Sequence, residues 1–203
     1  MILPNREQLS TESDVEQKLI LPLLKEVLGF NAEEIKTKEY LVPTDIDKGA
    51  GKKLGYYPDY VVYLAGIPVL VIEAKDPSVG VDVGYREARL YAVEINKRYR
   101  EGVNPIHRVL SSNGLRLVFS PWDSEKEITE ISIDDLLEGS RFIDVLRAEC
   151  SRKVLMAEFG IKPYTFRHRM GTVFYGSPLH GLRFPSAPKA WPWRDQVRQT
   201  HTG

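Results

Sequence analysis

One cysteine, Cys150, stands in a chain of 203 residues. No disulfide can close within the chain, so the fold must rest on a packed core, and the sequence suits a reducing compartment. Ligand spacings built on sulfur or imidazole are missing too. There is no Cys-x-x-Cys and no His-x-His pair, which argues against a structural zinc. No apolar run approaches the roughly 18 residues of a membrane span. The opening residues, MILPNREQ, lack the long apolar stretch of a secretory signal, and a cytoplasmic protein is the expectation. No Gly-x-Ser-x-Gly elbow is present, and His107, His168, His180 and His201 pair with no nucleophile, so acyl transfer lacks its parts. The stretch GAGKKLG fails as a phosphate loop. Ile46 stands where the first glycine belongs, and Lys53 where a Ser or Thr must follow the lysine.

Net charge is also absent: 28 basic side chains balance 28 acidic ones. The balance is uneven along the chain. Residues 1–140 hold 17 Lys and Arg against 24 Asp and Glu, whereas residues 141–203 hold 11 against 4. The basic C-terminal third fits a polyanionic partner, and it fits equally a helix with a solvated basic face plus a tail. Hydrophobic content of 42% suffices for the core of one globular domain.

The hydrophobic pattern predicts the elements. Val15, Leu19, Leu23, Leu24 and Val27 form one stripe of a helix over residues 11–28. Ser13 with Glu16 matches a capping box, with Thr11 as an alternative N-cap. Pro22 should kink or divide this helix, and Gly29 should end it. Residues 35–42 read as a strand with Lys36, Lys38 and Tyr40 on one face. Residues 43–56 read as a polar loop whose Lys48, Lys52 and Lys53 could touch phosphates or simply stay solvated. Residues 57–76, YPDYVVYLAGIPVLVIEAKD, read as a hairpin with Gly66 and Pro68 flanking its turn. A loop over 77–83 and an amphipathic helix over 84–99 follow. Two strands then flank Asn113-Gly114, a strong two-residue turn signal. Residues 127–133 read as an edge strand, and 134–158 as largely helical with a break at Gly139. The pattern predicts an α/β domain over residues 1–160, with a mixed central β-sheet flanked by helices. Residues 161–203 read as a basic, irregular tail in which Trp191 and Trp193 could dock on another domain. It could also be the start of a truncated following region.

The hairpin concentrates the chemistry. Asp59 lies where its first strand begins, Glu73 and Lys75 where its second ends. Antiparallel pairing can set Asp59 opposite Glu73, and residues two apart on a strand share a face, so Lys75 joins Glu73. Two carboxylates and an ammonium at one end of an apolar hairpin can hold a hard divalent cation through oxygen.

Pro58-Asp59, thirteen residues, then Glu73-Ala74-Lys75 resembles the motif of the PD-(D/E)xK nuclease superfamily. TESDVEQKLILPLLKEVLGF resembles the opening of the N-terminal nuclease domain of type I restriction enzyme R subunits. EARLYA at 87–92 is similar to the Gln-x-x-x-Tyr motif of that group, and VLSSNGLRLVFSPWD to its Asn-Gly hairpin. The resemblance spans roughly residues 10–125 and implies a restriction-endonuclease-like sandwich. It implies a Mg2+-dependent endonuclease, with Mn2+ as a substitute, acting on DNA to leave a 5′-phosphate and a 3′-hydroxyl. Asp59, Glu73 and the Ala74 carbonyl would ligate the metal, and Lys75 would orient the attacking water. Glu12 occupies the family's Ser/Thr-Glu position and is the favoured further ligand over Glu16. Glu87 departs from the family's Gln, four residues before Tyr91, and both remain accessory candidates on one helix face. A carboxylate there repels phosphate, yet could serve as a ligand or an acceptor. Implied partners are methylation and specificity subunits, and ATP only through a helicase motor outside this chain. The alternative is a non-catalytic DNA-binding or partner-docking module with the same fold. The complete Asp-Glu-Lys set argues against it.

Overall fold

The computed structural model describes residues 4–41, 55, 57–124, 127–136 and 140–160. Strand β3 (Ile67–Ala74) explains the rest of the arrangement. Seven of its eight residues are buried, which a strand achieves only with neighbours on both edges and cover on both faces. Its neighbours are β2 (Tyr60–Leu64), antiparallel, and β4 (Arg108–Ser112), parallel. Strands β1 (Ile35–Thr37), β5 (Arg116–Pro121) and β6 (Thr129–Ser132) complete a six-stranded mixed sheet in the order β1-β2-β3-β4-β5-β6. The β2–β3 turn is tight because Ala65 and Gly66 both take positive φ, 50° and 80°, the geometry of a two-residue turn that matches strand twist. Pro68 lies inside β3, not in the turn. It faces Tyr63 where the register shifts after Val62, and an irregularity of that kind tolerates a residue with no N–H.

A parallel pair needs a crossover, and helix α2 (Val81–Asn96) supplies it between β3 and β4. It begins three residues earlier than the apolar pattern indicated. Val61, Val71, Val109 and Val118 share one face of the sheet, and Ala88, Ala92 and Ile95 of α2 pack against them. Each such valine, fully buried, contributes about 1.5–3 kcal/mol. Asn96 fixes the helix exit, donating to the Ile106 carbonyl at 3.2 Å and accepting from its N–H at 2.9 Å.

The first helix, α1, runs through Glu12–Asp14, Val15–Ile20 and Leu23–Val27. It covers the opposite face, where Tyr60 donates from its hydroxyl to the Glu16 carbonyl at 3.1 Å. Pro22 does not divide it. The stretches before and after Pro22 are π-helical, and Pro22 itself keeps helical angles, φ −62° and ψ −39°. The wider turn accommodates the missing donor and the ring. Gly29, φ 78°, ends the helix as expected.

Strand β1 stops at Thr37 because Lys38 takes φ 47°. Asn113 and Gly114 belong to a three-residue loop, since β4 ends at Ser112 and β5 begins at Arg116. Asn113 Oδ1 accepts from the N–H groups of Leu115 and Arg116, and its amide donates to the Val79 carbonyl at 2.8 Å. Helices α3 (Arg141–Cys150) and α4 (Arg152–Glu158) follow. The break between them falls at extended Ser151; Gly139 lies outside the described residues. So do Lys48, Lys52, Lys53, Trp191 and Trp193. All described elements fall within the compact unit Met1–Glu158. Among the described residues no helix is long and apolar enough to cross a membrane.

Candidate active site

The β2–β3 register pairs Tyr60 with Ile72, so the next residues outward are Asp59 and Glu73. They clasp each other through backbone. The Asp59 N–H donates to Glu73 Oε1 at 3.0 Å, and the Ala74 N–H donates to Asp59 Oδ2 at 2.8 Å. Asp59 is 6% exposed and Glu73 2%. Burying two carboxylates side by side disfavours their charged forms. Burial, reinforced by the charge of Asp59, pushes the Glu73 carboxyl up to about 9. Asp59 is also raised by burial, with the Ala74 N–H pulling the other way.

Lys75 completes this half of the site. Its Nζ lies 3.2 Å from Glu73 Oε2 and 2.7 Å from Glu87 Oε2. Burial alone would favour neutral lysine, but the bond to Glu87 and the charge of Glu73 outweigh it and hold the ammonium above its ordinary range. Glu87 reaches Lys75 because α2 passes very close to the end of β3. Gly84 permits the approach: a Cβ there would lie 2.5 Å from Ser111 Oγ and 2.9 Å from Lys75 Cγ. Tyr91, one turn beyond Glu87, packs half-buried against the α2 core, and burial pushes its hydroxyl up to about 12.

The other half comes from α1. Its N-cap is Thr11, whose Oγ1 accepts from the Asp14 N–H at 3.1 Å while Asp14 Oδ2 accepts from the Thr11 N–H at 3.2 Å. The capping box is therefore Thr11 with Asp14, not Ser13 with Glu16. Glu16 is left free of the cap and faces the sheet end, as does Glu12 one turn before it. Glu12, Glu16 and Asp59 each offer a carboxylate oxygen within 4.8 Å of the others. Glu73 is not in that group, because its two oxygens face the Asp59 N–H and Lys75. Lys38 Nζ sits against the trio, 3.1 Å from Glu16 Oε1 and 3.8 Å from Asp59 Oδ1.

Two clusters thus share Asp59. Glu73, Lys75 and Glu87 lie on the α2 side; Glu12, Glu16 and Lys38 lie on the α1 side. The structure brings all the sequence candidates to one end of the sheet. Sequence reasoning missed Lys38 and Gly84. The i, i+4 spacing of Glu12 and Glu16 was a visible signal that both could face the site. Lys38 had none, because its left-handed backbone is invisible to a strand pattern. Three converging carboxylates are a hard-oxygen donor set, which fits Mg2+, Mn2+ or Ca2+.

A mixed sheet with a helix on either face, carrying this acidic end, is a restriction-endonuclease-like α/β fold. Residues 51–121, which hold Asp59, Glu73, Lys75, Glu87 and Tyr91, match the model of a family described as type I restriction enzyme R protein N terminus. This match falls on the segment that bears the site and supports the resemblance read from the motifs. A solved fragment described as an HsdR subunit of a type I restriction enzyme from Vibrio vulnificus YJ016 is similar at 22% identity and a TM-score of 0.46, over 74% of this chain. The chain spans 26% of that structure's length. No curated protein matches.

Proposed function

We propose that this chain hydrolyses DNA phosphodiester bonds with a divalent metal ion, Mg2+ or Mn2+ in its place. It would do so as the nuclease domain, residues 1–160, or a stand-alone relative, of a type I restriction enzyme R subunit. The observation that carries the reading is the meeting of Asp59, Glu73 and Lys75 at one sheet end inside the family-matched segment, with Glu12 and Glu16 beside them. A bound divalent ion supplies a Lewis acid and a more acidic water. Asp59 would hold it with Glu12 and Glu16, and Glu73 and the Ala74 carbonyl remain in the proposed ligand set. Lys75, kept protonated chiefly by its bond to Glu87, would donate to the attacking water and offset charge on the phosphate. Glu87 restrains that ammonium, and Tyr91 lines the same helix face. Sequence choice, methylation and ATP use would belong to other subunits and to a motor outside residues 1–203, in the cytoplasm.

Plasmid nicking tests the reading. Wild type should nick supercoiled DNA with Mg2+ and not with EDTA, and Asp59→Ala and Lys75→Ala should each lose about 100-fold or more. Unchanged nicking by both variants overturns the assigned site. DNA binding without cleavage in every form, in the presence of partner subunits, favours the non-catalytic module.

A further inference from the structure

Lys38 was expected on the face of a longer strand, but it is built differently. Its φ of 47° ends β1, and its N–H donates to the Asp59 carbonyl at 3.1 Å. The left-handed turn sends the side chain back over Asp59, so that Nζ lies 3.1 Å from Glu16 and 3.8 Å from Asp59. These are two of the three carboxylates that converge within 4.8 Å. Three carboxylates that close repel one another unless a cation stands among them. Lys38 supplies it, yet its side chain is 57% exposed, so the flexible stem can swing into water without disturbing the core.

We infer that the Lys38 ammonium is a tethered counter-ion that takes the charge position of a divalent cation at Glu12, Glu16 and Asp59, and that loading of the site displaces it. The inference rests on the metal reading above. Lys38 would hold the three carboxylates together before loading and set a threshold on metal occupancy. The device is local to the α1 side: Lys75 and Glu87 form their own pair on the α2 side.

The test is binding of Mn2+ alone to the full chain, with free ion counted by electron paramagnetic resonance. Lys38→Met and Lys38→Asn remove the charge; Asn tolerates the left-handed backbone, so it decides the case if the Met variant misfolds. Both should bind Mn2+ about threefold to tenfold more tightly than wild type, the range expected for losing one or two exposed ion pairs. Lys38→Arg should stay near wild type, and the gap should narrow at about 0.5 M salt. Asp59→Asn should abolish this binding in every background, separating the site from stray surface carboxylates. Equal or weaker affinity in the charge-removing variants, with wild type still binding, overturns the role of Lys38 and leaves the metal site standing. No Mn2+ bound by any form overturns both.

Discussion

At the scale of single residues, the site is set by which partner each charge has. Glu87 stands where the motif that the sequence resembles has Gln, and its carboxylate binds Lys75 at 2.7 Å. An amide would keep a hydrogen bond to Lys75 while removing a charge that repels phosphate. Glu87→Gln should therefore tighten DNA binding without metal by about twofold to fivefold, on the scale of one exposed ion pair. A gel-shift titration reads this, and unchanged or weaker affinity refutes it. Cys150 is the opposite kind of residue. It is fully buried, and burial pushes its thiol up to about 12. The thiolate is the reactive form, so native protein should resist maleimide at pH 8 and label only after denaturant is added. Labelling of the native protein at the rate of a free thiol would contradict that burial.

At the scale of elements, close approach and ion-pair staples place the helices. Gly84 lets α2 lie against the ends of β3 and β4. Gly84→Ala gains helix propensity of about 1 kcal/mol but forces Ser111 and Lys75 aside, an overpacking cost of about 1–3 kcal/mol. The net expectation is lower stability in urea unfolding, with nicking reduced further because Lys75 is displaced. A variant as stable and as active as wild type would show that the approach is looser than drawn. Arg152 of α4 forks onto Glu34, just ahead of β1, at 2.8–3.0 Å. Burial raises the Glu34 carboxyl, but Arg152 and the Asn31 N–H outweigh it, so its folded pKa lies below 4.5. A depressed carboxylate contributes stability that is full above its unfolded pKa and lost as pH falls through the folded value. The stability difference between wild type and Glu34→Gln should be constant above about pH 5 and shrink as pH falls below 4.5. A gap that persists or widens in acid would refute the pairing.

At the scale of the whole molecule, one end of the sheet gathers the acidic groups. Asp59 and Glu73 are buried together, with Glu12 and Glu16 adjacent. A ligand that binds only the folded state stabilises it in proportion to occupancy. Mg2+ or Mn2+ at about 100 times Kd should raise stability by about 2.7 kcal/mol in wild type and not in Asp59→Asn. Without metal, Asp59→Asn should match or exceed wild type in Tm, because it removes one of the clustered charges while an amide oxygen can still accept from Ala74. Equal metal-induced shifts in both proteins would move the binding site elsewhere.

Much of this was readable in one dimension. Four consecutive apolar residues before Glu73 marked a strand buried on both faces, and period-two geometry put Lys75 beside Glu73, because strand geometry is local. The Asn113 loop and the α2 stripe were also readable, within a few residues at their ends. The sequence by itself determined the α/β class, the hairpin and the meeting of Asp59, Glu73 and Lys75 at its end, since each follows from propensity and spacing along neighbouring residues. Only the tertiary structure decided that Thr11 rather than Ser13 caps α1, releasing Glu16 to the site. It also decided that Pro22 is absorbed by π-turns and that Lys38 turns left-handed over Asp59. The last of these depends on contacts that Lys38 makes with Glu16 and Asp59, more than 20 residues away in the chain, and the energy that selects it exists only once the layers have packed.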